Sequence, residues 1–234
     1  SLFFSAGYTE SLFLLFVAAG FLSARHGHWW AAAAAGALAT LTRNLGVFLL
    51  PVLGLACLER AVAHGRPLPD ALKDALPLGL IPAALGVHML VLGRAIGEPL
   101  AFLEAQRFWM RTLTLPTATL WRGLTGPVPE WSRVHTVIDL LFAAGFLALL
   151  WRGRKTLPWS EWLFLAVGLL IPLSSLTPFA PLTSLPRYVV VLFPGFTVLA
   201  GLVREEETHF ALSLFFATGL AVATMLFASF YWVA

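Results

Sequence analysis

Charge is what this chain has least of. Only 12% of its 234 residues are Asp, Glu, Lys or Arg, about half the share usual in a soluble domain. The few charges leave long uncharged runs, which exclude an ordinary water-soluble domain. Cysteine is nearly absent as well. Cys57 is the single thiol, set in an apolar run, so no internal disulfide can form. No Gly-rich nucleotide-binding loop is present, and no His, Cys and acidic cluster has metal-ligand spacing. His26 and His28 come nearest, but they flank a Gly with no Cys or acid beside them and read as a wet loop. No cofactor is therefore expected. The net charge of +3 does not argue for nucleic acid either, because Arg and Lys are dispersed through connecting segments, where membrane proteins carry them.

What is there instead is hydrocarbon. Hydrophobic residues make up 59% of the chain and gather into runs near the ~20 residues needed to cross a bilayer core. The runs cover residues 2–23, 29–58, 76–92, 134–151, 159–176, 187–203 and 210–232. The second is interrupted by Thr40-Leu41-Thr42-Arg43-Asn44-Leu45-Gly46. As one helix it would be about 45 Å long with Arg43 near its middle. As a short hairpin it would carry Thr42, Arg43 and Asn44 at the tip, with Gly46 supplying the turn, and the hairpin is the preferred reading. Pro77 and Pro82 are expected to kink the third run. The chain thus reads as all-α: one polytopic transmembrane helix bundle over residues 1–234, with about seven or eight membrane helices. It opens on Ser1 directly into an apolar run, and is expected to be a fragment lacking upstream N-terminal spans.

Two polar connections stand out. Residues 59–74 form a loop with room for a short surface helix. Residues 94–133 are the longest connection, an external loop whose interfacial helix starts after Pro99. Trp109, Trp121 and Trp131 suggest that this loop hugs the interface. Arg152-Gly153-Arg154-Lys155 is the densest positive cluster and belongs in the cytoplasm. Alternation of spans then puts 94–133, the hairpin tip and 177–187 outside. Asp139 lies one turn beyond His135 near the start of a span and reads as an interfacial pair.

This parity gathers four polar clusters on one face: Tyr8 with Glu10, Thr42 with Arg43 and Asn44, Glu104 with Gln106 and Arg107, and Arg187 with Tyr188. Glu10 sits in a run that is otherwise apolar. An ionised carboxylate in hydrocarbon is costly, so it faces either the membrane surface or a polar site inside the protein. Arg43 is either a snorkelling cation or an anion-binding guanidinium. The 101–109 stretch is either a passive surface helix or the wall of a groove. Together such groups fit a reaction with a hydroxyl nucleophile and an acidic leaving group. A carboxylate can take the hydroxyl proton, and arginines can stabilise a departing phosphate. A site at the membrane boundary suits a donor whose phosphate is tied to a lipid.

The series FFSAGYTESLFLL, WW, LATLTRNLGVFLLP, PLAFLEAQRFW, PRYVVVLFPGF and FYWVA resembles the PIG-V-like group of glycosyltransferases, which includes the enzyme adding the second mannose to glycosylphosphatidylinositol anchors. The resemblance covers nearly the whole chain in family order. It implies the GT-C superfamily: multi-span enzymes that transfer a sugar from a polyprenyl-phosphate donor to a hydroxyl of a lipid or glycan acceptor on the outer or luminal face. It implies donor-phosphate binding by Arg43, Arg107 and Arg187. It implies catalytic roles for Glu10 and Glu104 in orienting sugar or acceptor, and substrate contacts from Tyr8, Asn44, Gln106, Trp109 and Tyr188. Trp109 also fits an interfacial tryptophan. The family's catalytic Asp belongs to the first external loop, which this chain is expected to lack. High Ala, Leu and Trp content inclines the reading to a bacterial plasma membrane. Two other readings stand beside this one: a transporter or channel using the intramembrane Glu and Arg, and a non-catalytic membrane scaffold. No second copy of YTE or TRN occurs in the later half, which counts against a repeat-built transporter.

Overall fold

The computed structural model describes residues 8–203 and 205–229. It is nearly all-α: α1 Glu10–His26, α2 Trp29–Thr42, α3 Leu49–Ala63, α4 Leu68–Ala75, α5 Leu80–Ile96, α6 Ala101–Phe108, α7 Pro116–Thr125, α8 Glu130–Gly153, α9 Trp159–Leu173, α10 Leu185–Val189, α11 Phe193–Leu202 and α12 Glu206–Ala228. Short 3-10 segments, Asn44–Phe48 and Leu76–Gly79, lead into α3 and α5. Among the described residues, four stretches are long and apolar enough to cross a membrane: Asn44–Ala63, Leu68–Ile96, Glu130–Gly153 and Glu206–Ala228. Trp159–Leu173 and Phe193–Leu202 are shorter apolar helices. Residues 2–7 of the first expected span and 230–232 of the last lie outside the described residues.

The helix boundaries follow local chemistry. The Ala-rich sequence of α2 favours helix throughout. It stops at Arg43, whose backbone is extended at φ −147° and ψ 128°, so the long run is two helices, as the tip reading required. Gly46 serves differently from expectation. It has no left-handed φ; its backbone presses against the end of α2, where an added Cβ would lie 2.4 Å from the Thr40 amide nitrogen. The kink expected at Pro77 and Pro82 also resolves differently. Pro77 lies in the 3-10 segment that joins α4 to α5, and Pro82 falls in the first turn of α5, where its missing N–H leaves no helix bond unmade. The short surface helix expected within 59–74 is α4, in which only Ala71 is buried, and Leu68–Ile96 as a whole is long and apolar enough to cross a membrane. The expected span 187–203 is likewise broken, into α10 and α11. Pro194 stands in the first turn of α11 and cannot donate the N–H that would continue a helix from α10.

The described residues fall into two compact units, one within 11–113 and 158–167, the other within 1–10, 114–157 and 168–234. In the first, α2 packs on α5 through small residues. Gly36 admits Ile81, whose Cδ1 would lie 2.6 Å from a Cβ at that position. Val17, Leu49, Val52, Leu53 and Leu78 complete a fully buried core. Polar groups close this unit at one end. Arg25 pairs with buried Glu161, and Arg60 donates to the Arg25 carbonyl at 2.6 Å. Glu59 caps α9 by accepting from the Ser160 hydroxyl at 2.6 Å and its amide at 3.3 Å.

The second unit is built on α8, which packs against α7, α10 and α11. Its buried face runs Ser132, Thr136, Asp139, Ala143, Phe146, Leu149 and Gly153, a helical spacing. Phe146 meets Phe196 edge-on at 5.6 Å. Helix α12 has no buried residue among its 23, which suits a helix whose surroundings are lipid.

Candidate functional site

The second unit holds a buried ion pair. Glu10 is the first residue of α1, where the positive end of the helix dipole favours a carboxylate. It is 0% exposed. Its partner is Arg187, the third residue of α10, whose Nε donates to Glu10 Oε1 across 177 positions of sequence. The Glu10 side chain contributes nothing to the surface, whereas that of Arg187 is 26% exposed. The guanidinium also lies over the Tyr8 ring, with Cζ 4.4 Å from the ring centroid, a cation–π contact. Phe227 supports the ring from α12 with centroids 6.4 Å apart. The arrangement is a forked cation, fixed by one carboxylate and one aromatic face. Guanidinium presents five N–H donors, and a carboxylate held at Nε leaves the Nη edge as a phosphate-shaped fork.

Tyr8, Glu10 and Arg187 were placed in two separate clusters by the sequence reading, and the structure brings them together. Glu10 is thereby a carboxylate buried within the protein. Tyr188 follows on α10 and is half-buried.

The remaining expected site residues lie in the first unit. Arg43 and Asn44 are half-buried at the break after α2. The Arg43 amide donates to the Ala39 carbonyl at 2.9 Å, and its carbonyl accepts from Gly46 at 2.7 Å. Glu104 and Arg107 pair with one another on α6 at 2.8 Å, both exposed. An exposed pair one helical turn apart contributes little stability, so these charges are held for the surface and not for the core. Arg111 donates to Gln106 Oε1 at 3.3 Å. Trp109 is 55% exposed and sits among exposed Phe108 and Met110, the composition of an interfacial edge.

Asp139 departs from its expected place. It does not form an interfacial pair with His135; it is 5% exposed within the second unit, on the buried face of α8. The His135 ring nitrogen Nδ1 instead lies 3.2 Å from the Trp131 carbonyl, in its own helix. The signal was available: Ser132, Thr136 and Asp139 share the face that also carries Ala143 and Phe146. Glu161 was missed for another reason, since nothing in its neighbourhood announces the distant Arg25. Among the described residues no group of three or more His, Cys, Asp or Glu is placed to hold a metal ion.

Compared with known proteins, the chain matches no family model, no curated protein and no solved structure.

Proposed function

We propose that this chain is a membrane glycosyltransferase of the PIG-V-like, GT-C kind, which uses a polyprenyl-phosphate sugar as donor. The observation that carries the reading is the Tyr8–Glu10–Arg187 assembly: a forked cation fixed by a fully buried carboxylate in a chain with so few charges. A buried ion pair is a poor device for stability alone, because desolvation offsets most of its attraction. Its retention in apolar surroundings favours a working role. Arg187 receives the donor phosphate, and Glu10 and Tyr8 hold the guanidinium in place. Tyr188, the next residue of α10, contacts the sugar or the acceptor.

In the reaction the acceptor hydroxyl attacks the anomeric carbon as its bond to the phosphate oxygen breaks. The hydroxyl proton passes to a carboxylate, and the bonding electrons leave on the lipid phosphate, where arginine stabilises them. The site lies on the outer face of a multi-pass protein of the bacterial plasma membrane. The two shorter apolar helices, with α1 and α2, bring the four long stretches to the eight membrane helices of this reading.

The test is a transfer assay with membranes carrying the full-length parent protein and radiolabelled polyprenyl-phosphate mannose, using the membrane's own lipids as acceptors. Label is expected on a new product, and is expected to be lost in a Glu10→Gln variant expressed at normal levels. No transfer from mannose, glucose or arabinose donors would refute the reading and favour transport.

A further inference from the structure

The first unit carries a groove that the proposed reaction leaves unused. It runs along α5 and holds about 560 Å3, within the range of ligand-binding clefts. Its shape follows from helical spacing. Gly86 and Gly93 lie about two turns apart on one line of α5 and form the floor. Met89 stands on one side of that line, Val87 and Leu90 on the other. Nothing lies within 4 Å of where a Cβ on Gly86 would sit, so the floor is open there. The end wall comes from the chain's own reversal. Gly97 caps α5 in the left-handed region at φ 79°, and its amide donates to the Gly93 carbonyl at 3.1 Å. The turn lays Pro99 over Gly93, with its Cγ 3.1 Å from the place a Cβ would take. Ile81, on the opposite side of the helix, fits against Gly36 of α2. The groove therefore faces away from the core of its unit.

Arg94 stands beside the closed end. It is exposed, and among the described residues it has no carboxylate partner; Glu98, four residues on, makes no ion pair with it. A guanidinium in the last turn of a membrane-crossing stretch lies at headgroup level. An apolar groove with an unpaired cation at its end is complementary to a lipid, whose chain fills the groove while its phosphate meets the guanidinium. We propose that α5 binds one anionic phospholipid of the bilayer, with an acyl chain in the groove over Gly86 and the headgroup phosphate on Arg94. This goes beyond the glycosyltransferase reading and rests only on Leu68–Ile96 crossing the membrane. The occupant is a bilayer phospholipid and not the sugar donor. In that reading Arg187, of the other unit, takes the donor phosphate, and the groove opens along the exposed side of α5, where bilayer lipid is the surrounding medium.

The test uses the full chain in phosphatidylcholine vesicles that contain a trace of phosphatidylglycerol carrying a diazirine in its acyl chain. After photolysis, labelled peptides are read by mass spectrometry. Label is expected on residues 83–94 at about ten-fold the level on α12, which has no buried residue and reports passive contact with lipid. Unlabelled phosphatidylglycerol is expected to displace it, and phosphatidylcholine with the same chains is not. Gly86→Leu projects a side chain into open space and replaces glycine by a better helix former. It is expected to cut the α5 label about ten-fold while the α12 label stays unchanged. Arg94→Gln is expected to abolish the preference for phosphatidylglycerol over phosphatidylcholine. Equal labelling of α5 and α12, or an unchanged α5 label in Gly86→Leu, would overturn the inference and leave Arg94 a snorkelling cation beside passive lipid. Should Gly86→Leu fail to fold, Arg94→Gln decides alone, because an unaltered preference there would also overturn it. Displacement by farnesyl phosphate at lower concentration than by phosphatidylglycerol would assign the groove to a donor chain, and would equally overturn it.

Discussion

Replacing Arg187 by Leu should be among the most damaging single changes in the second unit, for a reason that can be worked from burial. Glu10 is 0% exposed, so removing its cation leaves a buried carboxyl group without its partner charge. Breaking a buried pair from one side leaves an uncompensated charge and costs about 3–5 kcal/mol. Loss of the cation–π contact with Tyr8 adds about 0.5–2 kcal/mol. For a chain of this length each kcal/mol moves the unfolding midpoint by about 2–4 °C, so a fall on the order of 10 °C or more is expected. Removing both charges tells a different story, because two apolar side chains of similar volume are often neutral in place of a buried pair. Glu10→Leu combined with Arg187→Leu should recover most of the loss, a coupling of roughly 2–4 kcal/mol across the pair. Thermal unfolding in detergent, followed by circular dichroism on the four members of the cycle, measures it. A double variant no more stable than Arg187→Leu alone would refute the reasoning, since the penalty would then not come from the stranded Glu10.

Three further outcomes follow from the geometry. Gly46→Ala drives a methyl to within 2.4 Å of the Thr40 backbone; because backbone cannot step aside, a loss of about 3 kcal/mol is expected in thermal unfolding, whereas Gly54→Ala, with open space around it, should be neutral or better. Arg25→Ala strands Glu161, which is buried while Arg25 is 63% exposed, and should cost about 1–3 kcal/mol that Glu161→Gln in the same chain largely restores. Thiols placed at Gln106 and Arg154 report orientation without interference, because Cys57 is buried: an impermeant reagent applied to intact cells should label position 106 and spare 154, and the reverse pattern would overturn the topology.

The nearly all-α character and the four stretches long and apolar enough to cross a membrane were legible because both rest on composition and run length. The break at Arg43 was legible too, since a charged and amide pair interrupts an Ala-rich run. Where the reading faltered, the cause was tertiary. Residues 187–203 are apolar enough for one span, but Pro194 divides them once α10 is drawn onto α8. Gly46 was read as a turn residue because glycine's conformational freedom is visible in sequence, while the close backbone approach it permits is not. Tyr8 and Glu10 were singled out by chemistry, and so was Arg187, yet their joining depends on a contact spanning 177 positions. Asp139 was assigned by its neighbour His135, when its helical face was the better guide.

The most direct test of the central claim, that Arg187 held by Glu10 and Tyr8 receives a lipid-linked phosphate, is calorimetric titration of farnesyl phosphate into the purified protein in detergent. The original protein should bind. Arg187→Ala combined with Glu10→Gln, which leaves no stranded charge, should bind about ten-fold or more weakly, the loss expected for a charge-assisted hydrogen bond to phosphate. Farnesol, lacking the phosphate, should not compete. Equal affinity of the original and the double variant, or equal competition by farnesol, would contradict the claim and leave the buried pair a structural element.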